Sequence, residues 1–187
     1  MGTETLVRDI LPLAYRAFGG TMRGKTLLQK RLYFISVILG LDLGYDPHYY
    51  GPYSEEIATI NAELKSLGYL SESVSGWGVD QRGFELARHD FALTAEGNRL
   101  SERKARQNPE LVQAVENAAR IVNEAGNLDY MELSIAAKAY YILTRLGRKA
   151  TIAEISAMLP KFGWSVDPEE LEKATSFLTK MHLVQQG

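Results

Sequence analysis

A mainly α-helical chain carrying one small β-hairpin is what this sequence predicts, and three observations lead there. Apolar residues recur at spacings of three and four through most of the 187 residues. Capping residues such as Ser54, Asn108, Thr151 and Asp167 stand before these stretches, and glycines follow them. From Leu70 to Leu93 the pattern turns instead to a Ser-, Val- and Gly-rich extended run.

With 45% hydrophobic content, a chain of this length buries a sizeable core, as one medium domain or two small ones. A net charge of −2 and a pI near 6.0 supply no global cationic field, so nucleic-acid binding needs local basic patches. The absence of cysteine excludes disulfides, thiolate catalysis and thiolate metal ligation, and the histidines are His48, His89 and His182 alone. The opening MGTETLVRD lacks the basic and apolar regions of a secretory signal, and Leu6 stands where a myristoylation motif needs Ser or Thr. Leu32 to Leu41 is about half of the roughly 20 apolar residues a membrane span needs. A soluble, cytoplasmic protein is expected.

Residues 4–18 place Leu6, Ile10, Leu13, Ala14, Ala17 and Phe18 at helical spacing, with Pro12 expected to kink or split the helix. Gly19 and Gly20 stop it, and Gly24 precedes a second helix. There Leu28, Leu32, Ile35 and Leu39 form one stripe, and Tyr33, Phe34, Val37 and Ile38 make the second half apolar nearly all round, so it is buried. Its polar start, Lys25, Gln29, Lys30 and Arg31, is expected to reach solvent.

Gly40 and Gly44 end that helix. Tyr45 to Tyr53, with four tyrosines, two prolines and a glycine, suits an extended segment closing in a tight turn. Ser54 is the expected N-cap of a third helix with Glu55 and Glu56 in its first turn, Ile57, Ile60, Leu64 and Leu67 on its buried face, and Gly68 at its end. The hairpin follows, with Gly76, Gly78 and Gly83 around its tip and Phe84 to Leu93 as the return strand. This helix, helix, ribbon order is winged helix-turn-helix-like. The phrase Ala92-Leu93-Thr94-Ala95-Glu96-Gly97 is similar to the L-T-x-x-G ending of many wings.

Arg99 to Arg106 reads as a basic continuation, and Asn108-Pro109 opens a helix through Leu111, Val115, Ala118 and Val122 to Gly126. The carboxy-terminal part repeats the helical logic. Ile135, Ala139, Ile142 and Leu146 mark a buried helix, Thr151 and Glu154 a capping box, and Asp167-Pro168 the start of a third helix bearing Leu171, Ala174, Leu178 and Met181. Leu183 to Gly187 leave this helix-turn-helix wingless or with one strand. The expected organisation is a winged-helix-like unit over 1–106 with its wing near 70–94, a connecting helix over 107–128, and a helix-turn-helix-like unit over 129–187.

Few constellations point to chemistry. Gly19 to Thr26, GGTMRGKT, matches the phosphate-loop pattern, but that loop needs a buried strand before it, and Asp42 has no strand from which to hold magnesium. A flexible turn with Lys25 starting a helix is the expected reading. Asp46 and His48 alternate with Tyr50, yet no further ligand array or catalytic serine motif accompanies them. No catalytic residue, metal or cofactor is expected.

For macromolecular recognition the candidates are Tyr49, Tyr50 and Tyr53, whose phenols combine apolar area with a polar tip, and Trp77 with Arg82 at the hairpin. Arg99, Arg103, Lys104 and Arg106 complete the candidate surface. Most of the tyrosines are expected to plug the core between two helices, leaving one or two exposed rings as contacts. The helix from Ser54 begins with two glutamates and carries Glu63, which opposes a major-groove role, and Glu169, Glu170 and Glu172 oppose it for the last helix.

The stretch Gly24-Lys25-Thr26-Leu27-Leu28-Gln29-Lys30, followed by Leu32-Tyr33-Phe34 and by Tyr50-Gly51-Pro52-Tyr53-Ser54-Glu55-Glu56, resembles the YwgA-like prokaryotic proteins. More distantly it is similar to the Panacea domain of SocA-type antitoxins. Glu169-Glu170-Leu171-Glu172-Lys173-Ala174 is similar to the YwgA-like tail, so the resemblance covers the larger part of the chain, least at the hairpin. It implies a helical, winged-helix-like fold, no known catalysis, and antitoxin or adaptor roles. The expected function is thus a non-enzymatic module binding protein, including a second copy of itself. A DNA-binding regulator is the alternative, and a phosphate-loop enzyme a remote one.

Overall fold

A computed structural model of the chain describes residues 2–76, 78 and 87–185. It is mainly helical with small antiparallel sheets. Helix α1 (Thr3–Ala17) runs through Pro12 uninterrupted. A mid-helix proline costs about 3 kcal/mol, but Ile10, Leu11, Leu13 and Ala14 around it are fully buried, and each large aliphatic contributes about 1.5–3 kcal/mol. Packing therefore holds the helix together where propensity would break it.

Strand β1 (Thr21–Arg23) occupies the stretch expected to be a flexible turn. Helix α2 (Lys25–Leu39), the hairpin β2 (Asp46–His48) and β3 (Gly51–Tyr53), and helix α3 (Glu55–Ser66) follow. Strands β4 (Leu70–Ser75) and β5 (Arg88–Leu93) pair antiparallel, and β1 joins the far side of β5, giving the order β1-β5-β4. Met22 opposite Phe91 and Leu70 opposite Leu93 set the register, with Met22, Phe91 and Leu70 turned into the core. The first strand thus pairs along the edge of β5 opposite β4. Trp77, Arg82, Gly83 and Phe84 lie outside the described residues.

Helix α4 (Ala95–Gln107) replaces the expected wing ending and basic continuation. Thr94 caps it, accepting from the Gly97 N–H while its own hydroxyl donates to the Gly68 carbonyl. A Cβ on Gly97 would stand 2.0 Å from the Tyr69 carbonyl oxygen, so glycine is needed for close approach. Helix α5 (Pro109–Ala125) begins at the Asn108 cap. Helices α6 (Tyr130–Leu146), α7 (Ile152–Met158) and α8 (Pro168–Lys180) carry capping boxes at Asp129, Thr151 and Asp167. A 3-10 turn, Leu159–Phe162, follows α7, and no strand follows α8 through residue 185.

Helix α2 explains the apolar composition of the chain's centre, because two clusters meet on it. Leu28, Leu32 and Ile35 pack with α1, α3 and α5, whereas Tyr33 and Phe34 pack with α6 and α8, Phe34 meeting Phe177 edge-on at 5.7 Å. Two expectations fail here. Gln29 and Lys30, read as a solvated helix start, are buried, and Leu67, read as core, is 66% exposed beyond the end of α3. Gln29 and Lys30 go inward because the backbone of Ser54 and Pro52 awaits them.

Candidate functional site

The segment from His48 to Ser54 is held by a ladder of side chains drawn from three distant elements. Trp164 donates its indole N–H to the His48 carbonyl at 2.7 Å, and Ser134 donates its hydroxyl to that of Tyr50 at 2.5 Å. Lys30 donates its ammonium to the Pro52 carbonyl at 2.6 Å, and Gln29 Nε2 donates to Ser54 O at 2.9 Å. The Gln29 Oε1 atom also accepts from the Ser54 N–H, so one amide clamps both backbone groups of that residue. The carbonyls of residues 48, 50, 52 and 54 thus each accept from a side-chain donor. Ser54 itself is fully buried. Its hydroxyl donates to Leu43 O while accepting from the Ile57 N–H as the cap of α3.

Gly51 closes the hairpin at φ +90°, and a Cβ there would lie 3.0 Å from Lys138 Cγ and 3.3 Å from Ser134 O. Two lysine stems therefore cross the same glycine. Burial pushes the Lys30 ammonium down to about 7, helped by the like charge of Lys138. Lys138 is itself lowered by burial, which Glu170 opposes, and its ammonium lies 5.8 Å from the Trp164 ring centroid. Among the described residues neither lysine has a carboxylate within ion-pairing distance.

This bracing presents the tyrosines. Tyr45 packs edge-on to Tyr33 at 5.0 Å and donates to Gln29 O, so it belongs to the core. Tyr49 is 39% exposed and meets the half-buried Tyr50 edge-on at 4.8 Å, while Tyr53 lies 4.9 Å from the His48 ring. Sequence reasoning missed two large side chains, Tyr130 (50% exposed) and Met131 (41% exposed). They lie one turn before Ser134 on α6, the residue whose hydroxyl reaches the Tyr50 carbonyl. The signal for them was two large apolar residues directly after the Asp129 cap, outside the buried stripe.

Helix α3 is the one whose acidic start opposes a groove-reading role. Glu55, Thr59, Ala62 and Ser66 form its exposed face, and its one cation, Lys65, is bound to Glu72 at 2.7 Å. Glu72 also lies 2.7 Å from His89 Nδ1, and these two contacts, Lys65 first, hold its carboxyl below the usual range. Arg99, Arg103 and Arg106 line one exposed face of α4 at spacings of four and three. Arg99 pairs with Glu96 at 2.5 Å. Lys104 turns away from them to an ion pair with Asp9 of α1, so it leaves the candidate surface.

The Gly19–Thr26 motif has no phosphate-loop shape. Helix α1 precedes it, its middle is β1, and Gly24 N–H donates to His89 O across the sheet. Asp42 accepts from the Gly44 N–H in a local turn. Among the described residues no three His, Asp or Glu side chains gather to hold a metal, and no helix is long and apolar enough to cross a membrane. No family model matches the chain, and no curated protein matches it.

Proposed function

We propose that this chain is a non-enzymatic, cytoplasmic winged-helix module that recognises another protein, in an antitoxin-like or adaptor-like role. One observation carries the reading: a tyrosine turn braced through four backbone carbonyls, with exposed aromatic rings at Tyr49 and, on α6, Tyr130. Rigid aromatic side chains lose little entropy on binding and dominate protein interfaces. The exposed face of α3 supports the same reading, since it carries Glu55 and a single cation, Lys65, that is already paired with Glu72. The resemblance of Lys25 to Lys30 and of Tyr50 to Glu56 to YwgA-like and Panacea-type sequences is explained if those residues serve the bracing ladder.

The test compares the native chain with a Tyr49→Ser, Tyr130→Ser double variant as baits in native lysate, with quantitative mass spectrometry. Proteins retained by the first and lost from the second are expected, with retention surviving raised salt. Identical retained sets would overturn the proposal.

The stripe Arg99, Arg103, Arg106 favours a second reading, a DNA-binding regulator. That reading requires duplex affinity that falls steeply with salt, with a slope that flattens in Arg103→Glu, Arg106→Glu.

A further inference from the structure

We propose that a cavity between α2, the end of α5 and the start of α6 binds a small monocarboxylate with a compact apolar body. This site is distinct from the tyrosine turn and does not depend on the protein-recognition reading. The cavity has a volume of about 280 Å³. That is room for roughly nine groups the size of a water molecule. Arg31 from α2 lines one side, Asn123 and Asn127 line its rim, and Val122, Leu128 and Leu133 supply its apolar wall.

Arg31 sets the ligand's charge. Its guanidinium is half-buried, stacked over the Phe18 ring at 4.5 Å, and among the described residues its one hydrogen-bond acceptor is Met22 Sδ at 3.6 Å. No carboxylate lies within ion-pairing distance of it among the described residues. An arginine stays protonated even where burial lowers its pKa, so the cavity wall includes a residue whose charge meets an aromatic ring and a thioether but no anion among the described residues. A carboxylate matches it best, because guanidinium forks bind planar two-oxygen anions through paired N–H bonds.

The remaining walls set the ligand's body. One cation selects a single negative charge over a phosphate dianion. Asn123 and Asn127 are exposed at the rim, and their amides engage no other group among the described residues, leaving them for a polar substituent or the second carboxylate lone pairs. The inner residues Val122 and Leu133 are buried and wholly apolar, which suits a short branched or aromatic group.

The experiment is a titration of the full chain followed by amide NMR shifts, with benzoate and 3-methylbutanoate as probes and benzamide and inorganic phosphate as controls. Saturable shifts are expected at 31, 122–128 and 133, with millimolar dissociation constants for both carboxylates. Benzamide should bind roughly tenfold more weakly or less, having lost the charge. Arg31→Gln should weaken benzoate to a similar extent. Asn127→Trp, an exposed position that fills the mouth without touching the core, should abolish the shifts in a chain whose melting is unchanged. Absence of saturable shifts, benzamide binding as well as benzoate, phosphate binding more tightly than either carboxylate, or benzoate binding unaltered in both variants would each overturn the assignment.

Discussion

The Lys30 ammonium donates to the Pro52 carbonyl oxygen at 2.6 Å in a site where Lys30 is only 1% exposed. Burying an ammonium costs several kcal/mol, and one hydrogen bond to a charged donor returns about 1.5–3. With Lys138 crossing the same glycine, the balance moves toward the neutral amine, which is why the pKa falls.

The depressed pKa has a signed consequence for stability. The unfolded chain holds this proton up to the ordinary value of 10.5, the folded chain only to about 7. Between those values the unfolded state binds more protons, so stability rises with pH across that window and is lowest below it. Lys30→Met removes this dependence. Urea denaturation of both proteins at several pH values in the window should give a wild-type minus variant difference that grows with pH. A difference independent of pH would contradict the account.

Removing single rungs of the ladder should loosen the tyrosine turn without unfolding the chain. Trp164→Phe keeps an aromatic ring beside Tyr141 but loses the donor to His48 O, and Ser134→Ala loses the donor to Tyr50 O. Trp164 is 3% exposed, so the smaller ring adds a cavity to the lost donor and should cost about 1.5–3 kcal/mol, whereas the Tyr50 contact should cost about 1–1.5. Hydrogen exchange should quicken at residues 48–53 in both variants while α1 and α5 keep their protection.

Tyr15→Phe tests the other cluster. The Tyr15 hydroxyl donates to Asn61 Oδ1 at 2.7 Å with both side chains buried. Removing it leaves a buried acceptor unpaired and should cost about 1–3 kcal/mol in chemical denaturation. Tyr15→Phe with Asn61→Leu should recover part of that loss, because no polar atom is then stranded.

Gly97→Ala should be among the most damaging small changes in the chain. The added methyl meets the backbone oxygen of Tyr69 at 2.0 Å, and neither α4 nor the end of α3 can yield cheaply. Overpacking of this kind costs about 1–3 kcal/mol or more. Gly40→Ala, at φ +65° but with open space around it, should cost only its backbone strain, about 1 kcal/mol. Equal melting temperatures for the two variants would show that the close approach is unimportant.

Much of the fold was legible because helix boundaries are written locally. Ser54, Asn108, Thr151 and Asp167 act as the caps their side chains suit, and Gly68, Gly126 and Gly147 follow the helices they end. Helix α4 was missed because it is polar: only Gly97 and Ser101 of its residues are buried, so it carries no apolar stripe to read. Strand β1 was missed because three residues with one buried side chain, Met22, leave almost no periodic signal. The candidate surface was half legible. Tyr49, Tyr50 and Tyr53 announce themselves by clustering, whereas the Ser134 contact that braces them comes from 84 residues away.

By itself the sequence determined the helical class, the winged order of elements and the capped ends, since each depends on side chains within a few residues of the backbone they serve. Tertiary structure alone decided that Gln29 and Lys30 turn inward, that Lys104 turns to Asp9, and that Arg31 faces a cavity. A long polar side chain is buried only where a distant segment supplies its partner, and spacing along the chain does not encode that partner's position.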